Sequence, residues 1–409
     1  MKITYFLTHF PVASETFVLN QITSLIDLGY DVKIVSIWKG DFTRLHPDFE
    51  NYKLRERVKY LLPDENGGLI KKTINRLYKI IFNLNKKPVR DALNFCEYGN
   101  HAKKLLLPYI TALNHDSIKS DVFIAHFGTT GVLANKLRQV NFLQGSVCTV
   151  FHGIDMSLYE VIRNYEADYK KLFEQTELML PISYLWKKRL LEMGCPSSKI
   201  EVLRMGVDVE NFTYNQREQV QLPIKIISVA RLTEKKGIDD AINACALLKQ
   251  QGVPFSYTIL GDGPLKEELK KIIENNNLQQ YVDLAGFKNQ DEVKTLLSES
   301  DVFLLPSVTG KNGDMEGIPV ALMEAMARGL PVVSTFHSGI PELIENEVSG
   351  WLVAEHDPVS LAAVLKKLAL NEVQLGAVLA KAREKIEIDF NEKLINQSLA
   401  YKLESKFRE

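Results

Sequence analysis

Residues 224–265 read IKIISVARLTEKKGIDDAINACALLKQQGVPFSYTILGDGPL, and this stretch decides the fold class. Two apolar runs, IKIISVA at 224–230 and FSYTILG at 255–261, have the length of buried strands. Between them, residues 237–250 carry apolar side chains at helical spacing. A strand, a helix and a strand in that order predict a parallel pair joined by a crossover helix. The rhythm continues downstream, with strands expected at 282–286, 301–307, 331–335 and 350–354. Helices are expected at about 264–275, 290–299, 319–328, 340–345 and 358–370. The segment 376–407 reads as helical and charged.

Working back toward the start, the pattern repeats less clearly. Strands are expected at 2–7, 31–38, 122–127, 146–153 and 177–183, with a closing segment at 199–208. Helices are expected at 14–28, capped by Ser14 and ended by Gly29, and at 128–137 and 158–175. The prediction is two doubly wound α/β domains, 1–208 and 209–385, with the boundary in the polar segment 209–223.

The chain has 409 residues, enough for two ordinary domains. Lys and Arg total 50 against 51 Asp and Glu, so a formal charge of −1 argues against nucleic acid as a partner. The four cysteines form no metal-binding or redox spacing, which predicts reduced thiols, mostly buried, in a cytoplasmic protein without structural zinc. No apolar run is long enough to cross a membrane, and MKITYFLTHFPVASETF fits a first strand better than a signal peptide.

Open α/β sheets take ligands beyond the carboxyl ends of their strands. Polar and Gly-rich residues do gather there: His9, His126, His152, Arg231, Gly261 to Gly263, Gly286 and Glu316. The first strand is followed by no GxGxxG, and no GxxxxGK[ST] occurs, which removes the main signals for a dinucleotide oxidoreductase and a P-loop hydrolase.

The sharpest segment is GDMEGIPVALME, 313–324. Pro319 marks a helix start, whose free N–H groups suit a phosphate. Glu316 stands at its mouth, and Glu324 lies within the helix among apolar neighbours. A carboxylate can take two hydroxyls of a sugar or ribose. The plainer reading makes Glu316 a loop acid and Glu324 a surface residue. Arg231 and Lys236 flank the turn after 224–230, where two cations can grip a diphosphate; the plainer reading is two solvated bases. His152 ends SVCTVFHG and can meet a sugar hydroxyl or simply satisfy a loop. His126 and His9 have weaker cases. Gly261 and Gly263, in GDGP, let backbone approach a ligand or make a plain turn.

RLTEKKG, ILGDGPL, AGF, DVFLLPS, EGIPVALMEAMARGLPVVSTFHSGIPELI and GWLVAEHDP, in this order and spacing, resemble the retaining glycosyltransferases of family 4, which have the GT-B fold. The resemblance covers essentially the whole chain. FPVASETFVLNQI and FHGID are similar to the branch that builds bacterial exopolysaccharide of the colanic acid and amylovoran type. It implies two Rossmann-like domains facing each other across a cleft, 1–208 for the acceptor and 209–385 for the nucleotide-sugar. A C-terminal helix, 386–409, would return to the N-terminal domain.

The resemblance further implies Glu316 near the transferred sugar, Glu324 on the ribose, Arg231 and Lys236 on the diphosphate, and His152 near the donor sugar. The backbone of Gly317, Ile318, Pro319 and Val320 would meet the phosphates, and the base would lie near Phe287 and Lys288. The donor would be UDP- or GDP-linked, with no metal and no further cofactor. The acceptor would be a hydroxyl of a lipid-linked oligosaccharide. Where many members carry a Gly-Gly loop, this chain has HFPVASET, and Ser14, Glu15 and Thr16 are candidates for acceptor or phosphate contact. The competing class is a non-catalytic sugar-nucleotide or polysaccharide-binding protein. An epimerase or a glycan phosphorylase on a similar two-domain fold would be other enzymes.

Residues 71–90, KKTINRLYKIIFNLNKKPVR, are basic and free of acids, with Ile74, Leu77, Tyr78, Ile81 and Phe82 on one helical face. The plainer expectation packs that face on the domain core. The other lays it on an anionic membrane surface, at the cytoplasmic face of the inner membrane.

Overall fold

The computed structural model describes residues 1–12, 15–43, 45–65 and 67–407. Six strands form the first sheet: β1 (Lys2–Phe10), β2 (Asp31–Lys39), β3 (Val58–Tyr60), β4 (Ile118–His126), β5 (Leu143–Phe151) and β6 (Leu178–Pro181). Six more form the second: β7 (Ile224–Val229), β8 (Phe255–Leu260), β9 (Val282–Gly286), β10 (Val302–Leu304), β11 (Val332–Thr335) and β12 (Trp351–Val353). The orders are β3-β2-β1-β4-β5-β6 and β12-β11-β10-β7-β8-β9, with every pairing parallel. Each is the doubly wound order in which the chain starts centrally, builds one side, then crosses to the other. The reversals fall between β1 and β4 and between β7 and β10, so crevices open beyond His9 and His126 and beyond Val229 and Leu304.

Helices on both faces bury the strands. Ile3, Tyr5, Val122, Ile124, Cys148 and Val150 are buried in the first sheet, and Ile226, Ile227, Ile259 and Phe303 in the second. Strands covered on both sides read as apolar runs, which is why these were visible in sequence. Cys148, Cys195 and Cys245 are buried and Cys96 is exposed, all as free thiols.

Some expectations are corrected. The first helix runs Thr16–Asp27 with Glu15 at its N-cap, and Ser14, expected as the cap, lies outside the described residues. The segment 199–208 makes only isolated bridges, Met179 to Ile200 and Val207 to Asn391. The charged C-terminal stretch is two helices, Leu375–Asp389 and Glu392–Phe407. At the break, Val207 N–H donates to the Phe390 carbonyl at 2.9 Å, and Glu392 N–H donates to the Val207 carbonyl at 3.0 Å. The last helix then lies on the first lobe. There Asn20 donates to Glu392 at 2.8 Å, and Asn396 to Ser24 at 2.9 Å.

The basic segment corrects the plainer expectation most clearly. Its helix, Leu69–Phe82, docks through Ile80, which is buried, and through the Arg76–Glu65 ion pair. The Arg76 guanidinium also lies over the Tyr109 ring. Those anchors turn the apolar stripe outward: Ile74, Leu77, Tyr78, Ile81 and Phe82 are all exposed, Phe82 at 76%. Among the described residues no helix is long and apolar enough to cross a membrane.

Candidate active site

The carboxyl end of β5 delivers Phe151 to the core and His152 to the crevice. Gly153 follows with φ of 131°, a left-handed turn that favours glycine. The turn is held by Asp155, which is buried. Its carboxylate accepts from the backbone N–H of Gly128 at 2.8 Å, Gly153 at 2.8 Å and His152 at 3.0 Å. Burial pushes the Asp155 carboxyl up, against the pull of those N–H groups. The His152 ring sits between Phe17 and Phe127, with centroids at 4.9 and 4.6 Å. Its Nε2 is 2.9 Å from Nδ1 of His126.

The second lobe meets this turn directly. A Cβ on Gly317 would stand 2.7 Å from the His152 carbonyl, and one on Gly153 would stand 3.3 Å from the Gly317 nitrogen. Glycine on glycine thus lets the lobes touch. Two hydrogen bonds between the lobes flank the contact: Met315 N–H donates to Ser157 at 3.1 Å, and Tyr159 N–H to the Asn312 carbonyl at 3.1 Å.

Glu316 is buried beside that contact. Its Oε1 lies 3.0 Å from Lys236 Nζ and 3.8 Å from Lys235 Nζ. Burial pushes the Glu316 carboxyl up, but Lys236 and Lys235 outweigh it and hold it below the usual range. Its backbone N–H donates to Nε2 of His337 at 3.0 Å, and His337 Nδ1 is 2.6 Å from Glu355. Glu355 also accepts from Thr309 N–H at 2.8 Å.

Glu324 projects from the helix Val320–Ala327, whose N-cap is Pro319. It is half-buried, and burial pushes its carboxyl up to about 7 despite Arg328 and Lys294. Phe287, Lys288, Val320 and Glu324 line one cavity of about 510 Å³. A second cavity, of about 770 Å³, runs along the first lobe past Thr8, His9, Glu15, Lys39 and His126 and reaches the same Phe287. Burial pushes the Glu15 carboxyl up to about 7.

The site residues expected from sequence therefore gather in three groups: His152 against Gly317, Lys236 on Glu316, and Phe287 and Lys288 with Val320 and Glu324. Arg231 is exposed and makes no ion pair among the described residues; Lys235 stands as a second cation on Glu316. Gly261 and Gly263 approach the chain itself, since Cβ atoms there would lie 1.9 Å from the Ala230 carbonyl and 2.4 Å from that of Leu232. Ile318 is buried, with its side chain packed beside Gly339. Ser14 lies outside the described residues. Sequence reasoning missed Asp155, Lys235, His337 and Glu355. The signals were present in FHGID and FHSGI, where a histidine precedes a turn. Among the described residues no three His, Cys, Asp or Glu side chains converge as a metal site.

Comparison with known proteins adds a family. Residues 213–387 match the model of the glycosyl transferases group 1. Over 99% of both chains, 50% of residues are identical to an amylovoran biosynthesis glycosyltransferase, AmsK, of Erwinia amylovora. A putative colanic acid biosynthesis glycosyltransferase, WcaL, of Escherichia coli K12 is 49% identical, over 99% of this chain and all of that one. The solved structure of Anabaena HepE in complex with UDP and glucose superposes with a TM-score of 0.72 at 17% identity, over 99% of this chain and all of that one, a likeness of fold.

Proposed function

The chain belongs to the glycosyl transferases group 1 family and is a glycosyltransferase of GT-B fold, and we propose that it moves a sugar from a UDP- or GDP-linked donor to a hydroxyl of a lipid-linked oligosaccharide in exopolysaccharide assembly. The single observation that carries the site assignment is the buried Lys236–Glu316 pair beside the His152–Gly317 contact. Residues 209–385 hold the donor and residues 1–208 the acceptor, which enters along the cavity past His9 and Glu15.

Glu324 grips the ribose, and the base lies against Phe287 and Lys288. The diphosphate meets the backbone of 317–320, with Arg231 and Lys236 offsetting the charge that grows as it leaves. Glu316 orients Lys236 and faces the transferred sugar, beside His152. Contact between the lobes excludes water and aligns donor with acceptor. The acceptor hydroxyl attacks from the face the diphosphate leaves, through an oxocarbenium-like state, as the sugar's bond to the diphosphate breaks and the hydroxyl proton passes to the departing phosphate oxygen, and configuration is retained.

The outward stripe of the helix Leu69–Phe82 brings the enzyme to an anionic lipid surface on the cytoplasmic side of the inner membrane. Exposed Ile70, Ile74, Tyr78, Ile81 and Phe82 support this reading, flanked by Lys71, Lys79 and Lys87. Apolar burial and the basic rim act together on such a surface.

A panel of UDP- and GDP-sugars tests the donor by shift in melting temperature, followed by radiolabel transfer to extracted lipid-linked acceptors. One donor should raise the melting temperature and label the lipid fraction. Saturable donor binding with no transfer to any acceptor would favour a binding protein instead.

A further inference from the structure

We propose that Gln21 is a positioning residue that sets the ring tautomer of His152 through His126, so that His152 offers a bare Nδ1 to the donor sugar. The last clause rests on the placing of His152 beside that sugar in the function proposed above. Four side chains form a line behind the site. The Tyr5 hydroxyl donates to Gln21 Oε1 at 3.0 Å. His126 Nε2 lies 3.1 Å from the same oxygen. His126 Nδ1 lies 2.9 Å from His152 Nε2.

The direction of each bond follows from what each atom can do. Tyr5 is fully buried, so its hydroxyl hydrogen needs an acceptor, and Gln21 Oε1 supplies it. An amide oxygen only accepts, so the nitrogen 3.1 Å away must carry hydrogen, which makes His126 the Nε2–H tautomer. A neutral imidazole has one N–H, so His126 Nδ1 is bare and accepts. His152 must then donate from Nε2, which leaves its own Nδ1 bare. Burial favours the neutral rings throughout: it pushes His126 down to about 3 and His152 down as well. Turning the Gln21 amide over would face its NH₂ to the Tyr5 hydroxyl and strand the phenol hydrogen. Stacking holds the rings in place, with Tyr5 on His126 at 5.8 Å and 17°.

A bare Nδ1 can accept from a sugar hydroxyl. It also presents a lone pair, and no N–H, to the electron-poor anomeric carbon of the transition state. The reversed line would do the opposite. Gln21 lies on the helix Thr16–Asp27, 105 residues before His126, so only the fold brings the two together.

The test uses the full-length enzyme labelled with ¹⁵N-histidine. Long-range proton–nitrogen correlation spectra distinguish the two tautomers, and loss of signals in His126→Asn and His152→Asn assigns them. In the wild type both rings should be Nε2–H. Gln21→Met leaves the Nε2–H of His126 without an acceptor, which favours the reversed line, so both rings should move toward Nδ1–H. Tyr5→Phe removes the hydroxyl that fixes the amide, and both rings should become mixtures. In Gln21→Met, kcat should fall about fivefold, with donor KM within about twofold of the wild type. A wild-type His152 in the Nδ1–H form, or spectra unchanged in both variants, would overturn the proposal. A changed tautomer with unchanged kcat would instead remove His152 from the sugar and leave the setting of the tautomer by Gln21 intact.

Discussion

Replacing Lys236 by alanine perturbs the centre of the site, and its effect can be worked from the surroundings of Glu316. That carboxylate is 9% exposed, and Lys236 at 3.0 Å is its nearest cation. Lys235, at 3.8 Å, is shared with Asp314 at 3.0 Å. Breaking a buried ion pair by removing one partner costs about 3–5 kcal/mol. Lys235 keeps part of the attraction, so about 2–3 kcal/mol is expected here. At roughly 2–4 °C per kcal/mol for a lobe of this size, the melting temperature should fall by about 5–10 °C near neutral pH.

The sign with pH is specific. In the wild type the lysines hold Glu316 below its unfolded value, so its contribution is present above about pH 4.3 and fades as pH falls through the lower folded value. Without Lys236, burial dominates and the folded value rises above the unfolded one. The variant then loses stability as pH climbs. The gap between wild type and variant should therefore be small near about pH 4.5 and widen toward about pH 8. Thermal melts at both pH values read this directly. Adding Glu316→Gln to Lys236→Ala should recover most of the loss, because no charge then stays buried. An equal gap at the two pH values, or a double variant as unstable as the single one, would show that no buried charge on Glu316 depends on Lys236. Transfer from a radiolabelled donor should fall by about 10²-fold or more, the usual effect of removing one group that stabilises growing charge.

Other outcomes follow from the same geometry. Burial raises Glu324 to about 7, so its ionisation detracts from the stability of the free enzyme as pH rises through that value, while affinity for a ribose diol should increase over the same range. Donor titration calorimetry should show that rise in the wild type and a flat, weaker profile in Glu324→Gln; a flat wild-type profile would count against the ribose contact. Ile74→Glu with Ile81→Glu should abolish co-sedimentation with anionic liposomes while leaving the melting temperature within about 1 °C, since both side chains are exposed; undiminished pelleting would remove the lipid surface. Asp155→Ala strands three backbone N–H groups and should cost about 3 kcal/mol or more in denaturant unfolding; a loss under about 1 kcal/mol would show that the turn does not depend on it.

Most of the sheet architecture was legible because parallel strands buried on both faces leave uninterrupted apolar runs such as IKIISVA and VFIAHF. β3 was not: the equally short β10 and β12 are wholly apolar and buried, whereas Val58 to Tyr60 carries Lys59 between two half-buried residues and leaves no apolar run. The segment 199–208 has the apolar content of a strand, but it spends its backbone groups on single bridges and on the returning chain. In the candidate site, Glu316 and Glu324 stood out because acids in an apolar, helix-starting segment are conspicuous. That Lys235 and Lys236 converge on Glu316 is set by the packing of β7 against β10, which no local spacing encodes. The role of His337 was hidden for a similar reason, since the fold brings it the Glu316 N–H from 21 residues away, whereas Asp155 binds the N–H groups of its neighbours His152 and Gly153 and only that of Gly128 from afar. For the helix Leu69–Phe82, periodicity identified the apolar side but not what covers it, and the Arg76–Glu65 pair turned out to decide.

The chain passes between the lobes twice, and the two passages are hydrogen-bonded to each other where Val207 meets Phe390 and Glu392. Two hydrogen bonds at a single bridge tie the passages together at that point. Opening of the space between the sheets is expected to hinge where both passages cross, near Val207. The carboxyl terminus rides with the opposite lobe from the helix that precedes it, so a dye placed after Phe407 and another on the helix Leu375–Asp389 would form a calliper for that opening.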